Sequence, residues 1–250
     1  MILALSFRSD MAVRAAWLGF FALILLAWYG LYVSVGAGTG GHAGAGFGAD
    51  FDRRFFAILL AMWLVMGAAM MLPTIVPTLR AYLRIPARAG TSLAGFWGLI
   101  GGYLLVWLGA AAIFASVQAA LLVSPWAGAG GFVHGPLFAG ALLVLAGVWQ
   151  FTRGKEICQT ACLSPMAFFT GRFRPGVAGA ARMGAEIGLT CVGCCWAIMA
   201  LGLVGGLSSL AWMGLATVFM VAEKLPEIGM HLRKPAGAAL VMSGLWVGLV

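Results

Sequence analysis

An all-α fold, a polytopic transmembrane helical bundle of six or seven spans, is what this sequence predicts, and three observations carry that expectation. The chain is 63% hydrophobic and only 9% charged, against roughly 25% charged residues in a soluble domain. So few charges cannot cover a water-facing surface. Apolar runs recur along the chain, several of them near the ~20 residues that a bilayer-spanning helix needs. The basic residues are concentrated in alternate segments between those runs, which is the asymmetry that orients membrane helices. No long polar linker divides the 250 residues, so one integral membrane domain over 1–250 is expected.

The expected spans are 15–35, 55–76, 95–117, 132–151, 184–204, 207–222 and 236–250. Residues 1–13 are polar or mixed and the first apolar run is longer than a signal core, so a cleavable leader is not expected. The third span carries Gly98, Gly101, Gly102 and Gly109, small residues of the kind that let membrane helices approach closely. Between the first two spans, the segment near 36–50 is glycine-rich and includes His42; such composition reads as flexible. Spans five and six are joined by only Gly205 and Gly206, which predicts a tight antiparallel hairpin. Span six is short, but extends to Leu225 if Lys224 snorkels. Span seven is short as well, and is either incomplete or re-entrant.

Orientation follows from charge. Segments 1–14, 77–94, 152–183 and 223–235 share one side and hold 13 of the 15 basic residues, leaving Arg53 and Arg54 for the other. The positive-inside rule puts the N-terminus in the cytoplasm, in a bacterial cytoplasmic (inner) membrane. The net charge of +8 is thereby explained by the bilayer, and no nucleic-acid partner is expected.

Two ladders of soft donors stand out. Cys191, Cys194 and Cys195 are spaced i, i+3 and i+4 in span five, which puts them on one helical face; Met199 extends that face by a turn. Met62, Met66 and Met70 form a stripe in span two, followed by Pro73 and Pro77. A proline there frees backbone carbonyls and permits a kink. Cys158 and Cys162 form another i, i+4 pair in the segment 152–183. Thiolate and thioether select Cu(I), and thiolate also zinc or iron–sulfur clusters. Without a matching histidine or carboxylate set, the pattern points to Cu(I) ahead of zinc, and no four-cysteine iron–sulfur run is present.

Each feature has a plainer alternative. Methionine stripes and buried cysteines often only pack. Adjacent Cys194 and Cys195 do not suit a disulfide, and a cytosolic Cys158–Cys162 bridge is not expected. Glu186, Glu223 and Lys224 lie at predicted inner ends of spans, where ionisable groups either serve a site or snorkel to the interface. His134 reads as an interfacial or packed residue, and His231 as solvated. No P-loop, nucleophile elbow or H-E-x-x-H motif is present, so no catalytic residue is assigned and an enzyme is not the favoured reading.

The run Cys191-Val-Gly-Cys-Cys-Trp-Ala-Ile-Met199, with Trp212-Met213 and Glu223-Lys224 beyond it, resembles a bacterial family of predicted metal-binding integral membrane proteins. So do Met62-Trp-Leu-Val-Met66-Gly-Ala-Ala-Met70-Met71-Leu-Pro73 and the segment Lys155-Glu-Ile-Cys158 with Cys162 and Pro165. The likeness runs from about 55 to 235. It implies a metal-binding membrane protein and names no metal.

The expected metal ligands are Cys191, Cys194, Cys195, Met199, Met66 and Met70 in the membrane, with Cys158 and Cys162 as a cytoplasmic docking pair. Met66 lies 11 residues from Phe55 and Cys195 lies 11 from Gly184, so each is about 16 Å into its span. Spans two and five, packed face to face, would pair Met70 with Cys191, Met66 with the Cys195 level and Met62 with Met199. The expected function is binding of Cu(I), with its translocation or its delivery to a membrane or periplasmic protein. A membrane thiol-redox protein and a metal-free structural or assembly subunit are the alternatives.

Overall fold

In a computed structural model the described residues are 2–36, 53–122, 136–205, 209–225 and 227–249. His42, His134, Gly206 and most of the glycine-rich segment lie outside them. Every described element is helical: α1 (Ile2–Gly36), α2 (Arg53–Arg84), α3 (Leu93–Leu122), α4 (Pro136–Phe151), α5 (Arg153–Leu163), α6 (Pro165–Arg172), α7 (Gly176–Ala200), the short α8 (Gly202–Gly205), α9 (Leu210–Ala222) and α10 (Gly229–Leu249). A single 3-10 turn, Ala87–Ala89, lies between α2 and α3. The described part of each of the seven expected spans is helix apart from Leu201 and Ser209, and the protein is all-α.

Among the described residues, four helices are long and apolar enough to cross a membrane, or five if α4 and α5, bent by 63°, form one broken span. The two other expected spans differ for physical reasons. At 13 residues, α9 is about 20 Å long, shorter than a ~30 Å hydrocarbon core. Arg233 and Lys234 lie within the first turns of α10 and lower its apolar character. Outward-facing side chains on the long helices are nonetheless large and apolar: Leu18, Leu25, Leu105, Ile113 and Leu189 are all exposed. A contiguous apolar exterior of this kind is foreign to a soluble monomer.

The segment 152–183 is the main departure from expectation. It is largely helical rather than a loop, and α7 begins at Gly176, eight residues before the expected start of span five. Thr152 makes the turn: its hydroxyl donates to the Trp149 carbonyl at 2.8 Å and accepts from the Lys155 amide at 3.2 Å. It thus ends α4 and caps α5.

Glycine sets the packing of the long helices. Gly98 and Gly102 of α3 face Val177 and Ala181, while Gly184 and Gly188 of α7 face Leu99 and Tyr103. A Cβ at Gly102 or Gly184 would strike a backbone carbonyl of the facing helix. The two Gly-x-x-x-Gly steps therefore let α3 and α7 touch along their backbones. Gly101 and Gly109, expected to join them, meet nothing within 4 Å.

The facing residue numbers rise together, so α3 and α7 run parallel. By contrast α2 is antiparallel to α3: Tyr82 lies at Gly95, Thr74 at Tyr103 and Trp63 at Gln118. Pro73 lacks the amide that would bond the Ala69 carbonyl. The Trp28 indole N–H of α1 fills that place at 3.1 Å. This is the freed carbonyl that the sequence led us to expect, satisfied by a neighbouring helix.

Candidate metal centre

The three cysteines of α7 converge as their spacing requires. The Sγ atoms of Cys191, Cys194 and Cys195 lie within 4.8 Å of one another, and all three residues are buried. The Cys194 and Cys195 sulfurs are 3.3 Å apart, and the Cys194 thiol also donates to the Cys191 carbonyl at 3.2 Å. All five cysteines are free thiols.

Cys191 meets three other helices. Its Sγ is 3.0 Å from the Tyr103 hydroxyl of α3, 3.8 Å from the Thr74 hydroxyl of α2 and 2.8 Å from Lys224 Nζ, just beyond α9. Lys224 also donates to Thr74 at 3.2 Å, and Tyr103 donates to the Met71 carbonyl at 3.0 Å. A buried ammonium against sulfur stabilises negative charge on the cluster, because attraction is little screened away from water. Lys224 is 7% exposed. The snorkelling expected of it does not occur, since the ammonium finds partners inside, and α9 stops at Ala222 instead of extending to Leu225.

The expected packing of spans two and five is corrected in two ways. The closest neighbour of α7 is α3, because that pair carries the facing glycines; α2 reaches Cys191 only by side chains. It does so through Thr74, one turn beyond Met70 on the same stripe, so the register is shifted by a turn. Because α2 and α7 are antiparallel, Met70 comes level with Cys195 and Met66 with Met199. Met66, Met70 and Met199 are all buried in the same core.

Beneath the cluster sits a buried ion pair. Lys155 Nζ of α5 is 2.8 Å from Glu223 Oε2 and donates to the Cys194 carbonyl at 2.7 Å. Both side chains are nearly inaccessible, 1% and 3% exposed. Glu223 therefore neither snorkels nor pairs with Lys224. Gln159 ties the same region together, donating to the Glu223 and Gly229 carbonyls at 3.0 Å each.

The second cysteine pair lies on α5, beside the cluster. Gly193, inside the Cys-Val-Gly-Cys-Cys run, makes this possible: a Cβ there would stand 2.9 Å from Cys158 Sγ. Cys162, one turn further along α5, is partly buried against the core that holds the triad. Glu186 stands apart, at an exposed network with Arg172 at 3.5 Å, Arg174 at 3.4 Å and Arg182 at 3.8 Å. His231 is exposed, as expected.

Tyr103, Thr74 and Lys155 were not anticipated as neighbours of the cysteines. For Tyr103 a signal existed: two Gly-x-x-x-Gly steps, 98/102 and 184/188, imply an α3–α7 pair and place residue 103 beside Gly188. For Lys155 there was none, because its burial follows from the bend at Thr152.

A gathered set of three soft thiols in a dry site suits a soft cation of low coordination number. Structural zinc takes four ligands, and the three closely gathered sulfurs supply one fewer. The sequence profile of the copper chaperone family PpoB2 matches residues 60–247, which takes in both methionine and cysteine ladders. No curated protein and no solved structure matches the chain.

Proposed function

The chain belongs to the PpoB2 copper chaperone family, and on that premise we propose that it holds Cu(I) inside a bacterial inner membrane and hands it to a membrane or periplasmic acceptor. The observation that carries this is the buried triad Cys191, Cys194 and Cys195. Its thiolates are the resident ligands, and Met70, level with Cys195, is the nearest thioether of the α2 stripe. Met66 and Met199 continue the donors by one turn, while Cys158 and Cys162 serve the cytoplasmic side. Lys224 offsets the negative charge that a thiolate-bound Cu(I) leaves in the site.

The same membrane reading takes 1–250 as one integral domain with a cytoplasmic N-terminus. α1 runs antiparallel to α2, with Trp28 at Ala69 and Gly30 at Val65; the alternating directions of α1, α2 and α3 and the 13-to-2 split of basic residues support that orientation.

Competition for Cu(I) between the reduced, detergent-solubilised protein and a chromogenic Cu(I) chelator tests the proposal. Wild type should withdraw copper from the chelator, and the Cys194→Ser/Cys195→Ser variant should not. Serine is tolerated in membrane helices, so insertion should survive. Met70→Leu should weaken retention by about tenfold, the equivalent of ~1.4 kcal/mol, with Met62→Leu nearly silent. Equal withdrawal by wild type and the double variant would remove the triad as the site.

A further inference from the structure

An open groove of about 940 Å³ runs along α5 and α6, lined by Arg153, Glu156, Cys158, Phe168, Arg172 and Thr190 among others. Its wall continues into a small cavity that shares Ala161, Phe168 and Thr190 and is lined by Cys162, Thr78 and Ile187. Cys162 in turn packs against the buried core that contains Cys191, Cys194 and Cys195. The five cysteines therefore form a series of increasing burial: Cys158 at an open groove, Cys162 one helical turn further along α5 at the small cavity, and the buried triad in the core that α5 packs against. One turn is a rise of ~5.4 Å. Packing alone does not require that order, since a core needs no sulfur at an open groove.

We propose that Cys158 and Cys162 are a thiol relay that loads the triad with Cu(I) from the groove, Cys162 being a transfer ligand and not a resident one. This rests on the triad being the Cu(I) site. Each step is ligand exchange at constant oxidation state. Copper arrives on the Cys158 thiolate. The Cys162 thiol loses its proton to groove water as its sulfur–copper bond forms; the Cys158–copper bond then breaks and that sulfur takes a proton back. The same exchange repeats from Cys162 to Cys194. No electron is transferred, and the number of copper–sulfur bonds is restored at every stage. Gly193 keeps α5 close enough for the relay, because any side chain there would displace Cys158.

The relay predicts a kinetic phenotype without an equilibrium one. Full-length, reduced protein in detergent is mixed with the Cu(I)–glutathione complex, and the rate of loading is followed along with the final copper per chain. Cys162→Ser should slow loading by at least about tenfold, equivalent to ~1.4 kcal/mol on the barrier, while the final copper content stays that of wild type. Cys162→Ala, which keeps no hydroxyl, should do the same, and matching melting curves establish that each variant is folded. Alkylation of Cys158 in wild-type protein, which requires no substitution, should also slow loading without changing the endpoint. Loading at the wild-type rate in either variant or in the alkylated protein overturns the relay. Loss of final copper in folded Cys162→Ala also overturns it, by making Cys162 a resident ligand. If wild type itself takes up no Cu(I), the triad reading fails first, and the two failures are thereby distinguished.

Discussion

A lysine and a glutamate buried against each other are held there by what each would suffer alone. Lys155 contacts both Glu223 and the Cys194 carbonyl, so it fixes α5 to the cysteine-bearing turn of α7. Removing one partner of a buried pair typically costs 3–5 kcal/mol, whereas replacing both with apolar residues is often neutral or better. Glu223→Gln should therefore lower the melting temperature sharply, and Lys155→Met/Glu223→Leu should recover most of the loss. A single variant that melts like wild type would show that the pair does not hold α5 in place. At this scale the sequence was informative about the cysteines, whose i, i+3, i+4 spacing is a local property of one helix. It was misleading about Glu223 and Lys224. A charge near a helix end reads as interfacial, and only the fold of 152–163 reveals that a counter-charge waits inside.

Two helix pairs are built on glycine, and they explain why the expected α2–α7 contact is indirect. Backbone approach of α3 to α7 depends on Gly102 and Gly184, each facing a carbonyl. Gly102→Val should disrupt that approach and cost several kcal/mol by overpacking, of the order of the 1–3 kcal/mol or more seen in filled cores. Gly101→Val, on an open face with nothing within 4 Å, should leave thermal stability within about 0.5 kcal/mol. Equal effects at the two positions would mean the helices are not in backbone contact. A similar close pairing joins α4 and α10, where Gly140 meets Gly244 and Gly147 meets Gly237. The ladders were legible as stripes, but register was not: depth counted from each span's start assumes that each helix begins at its own membrane surface. Because α7 begins at Gly176, that assumption fails, and Cys191 meets Thr74 one turn away from the expected Met70.

For the whole molecule, hydropathy and charge were enough to give the all-helical class and an apolar exterior. They could not foresee helix length and bending: among the described residues α9 is short and α4 meets α5 at 63°. The orientation is open to a direct test. Reporter fusions at residues 45 and 165 should fall on opposite sides, the first outside and the second in the cytoplasm. Placement of both on one side would contradict α2 as a crossing helix, because residue 45 precedes its start and α6 packs at its far end, with Phe169 beside Tyr82. The proposed function requires copper to sit on sulfur inside this bundle. X-ray absorption at the copper edge of Cu(I)-loaded, reduced protein tests it most directly. A first shell of sulfur alone is predicted, absent when Cys191, Cys194 and Cys195 are all replaced by serine; a shell of nitrogen or oxygen, or an unchanged sulfur shell in the triple variant, would contradict it.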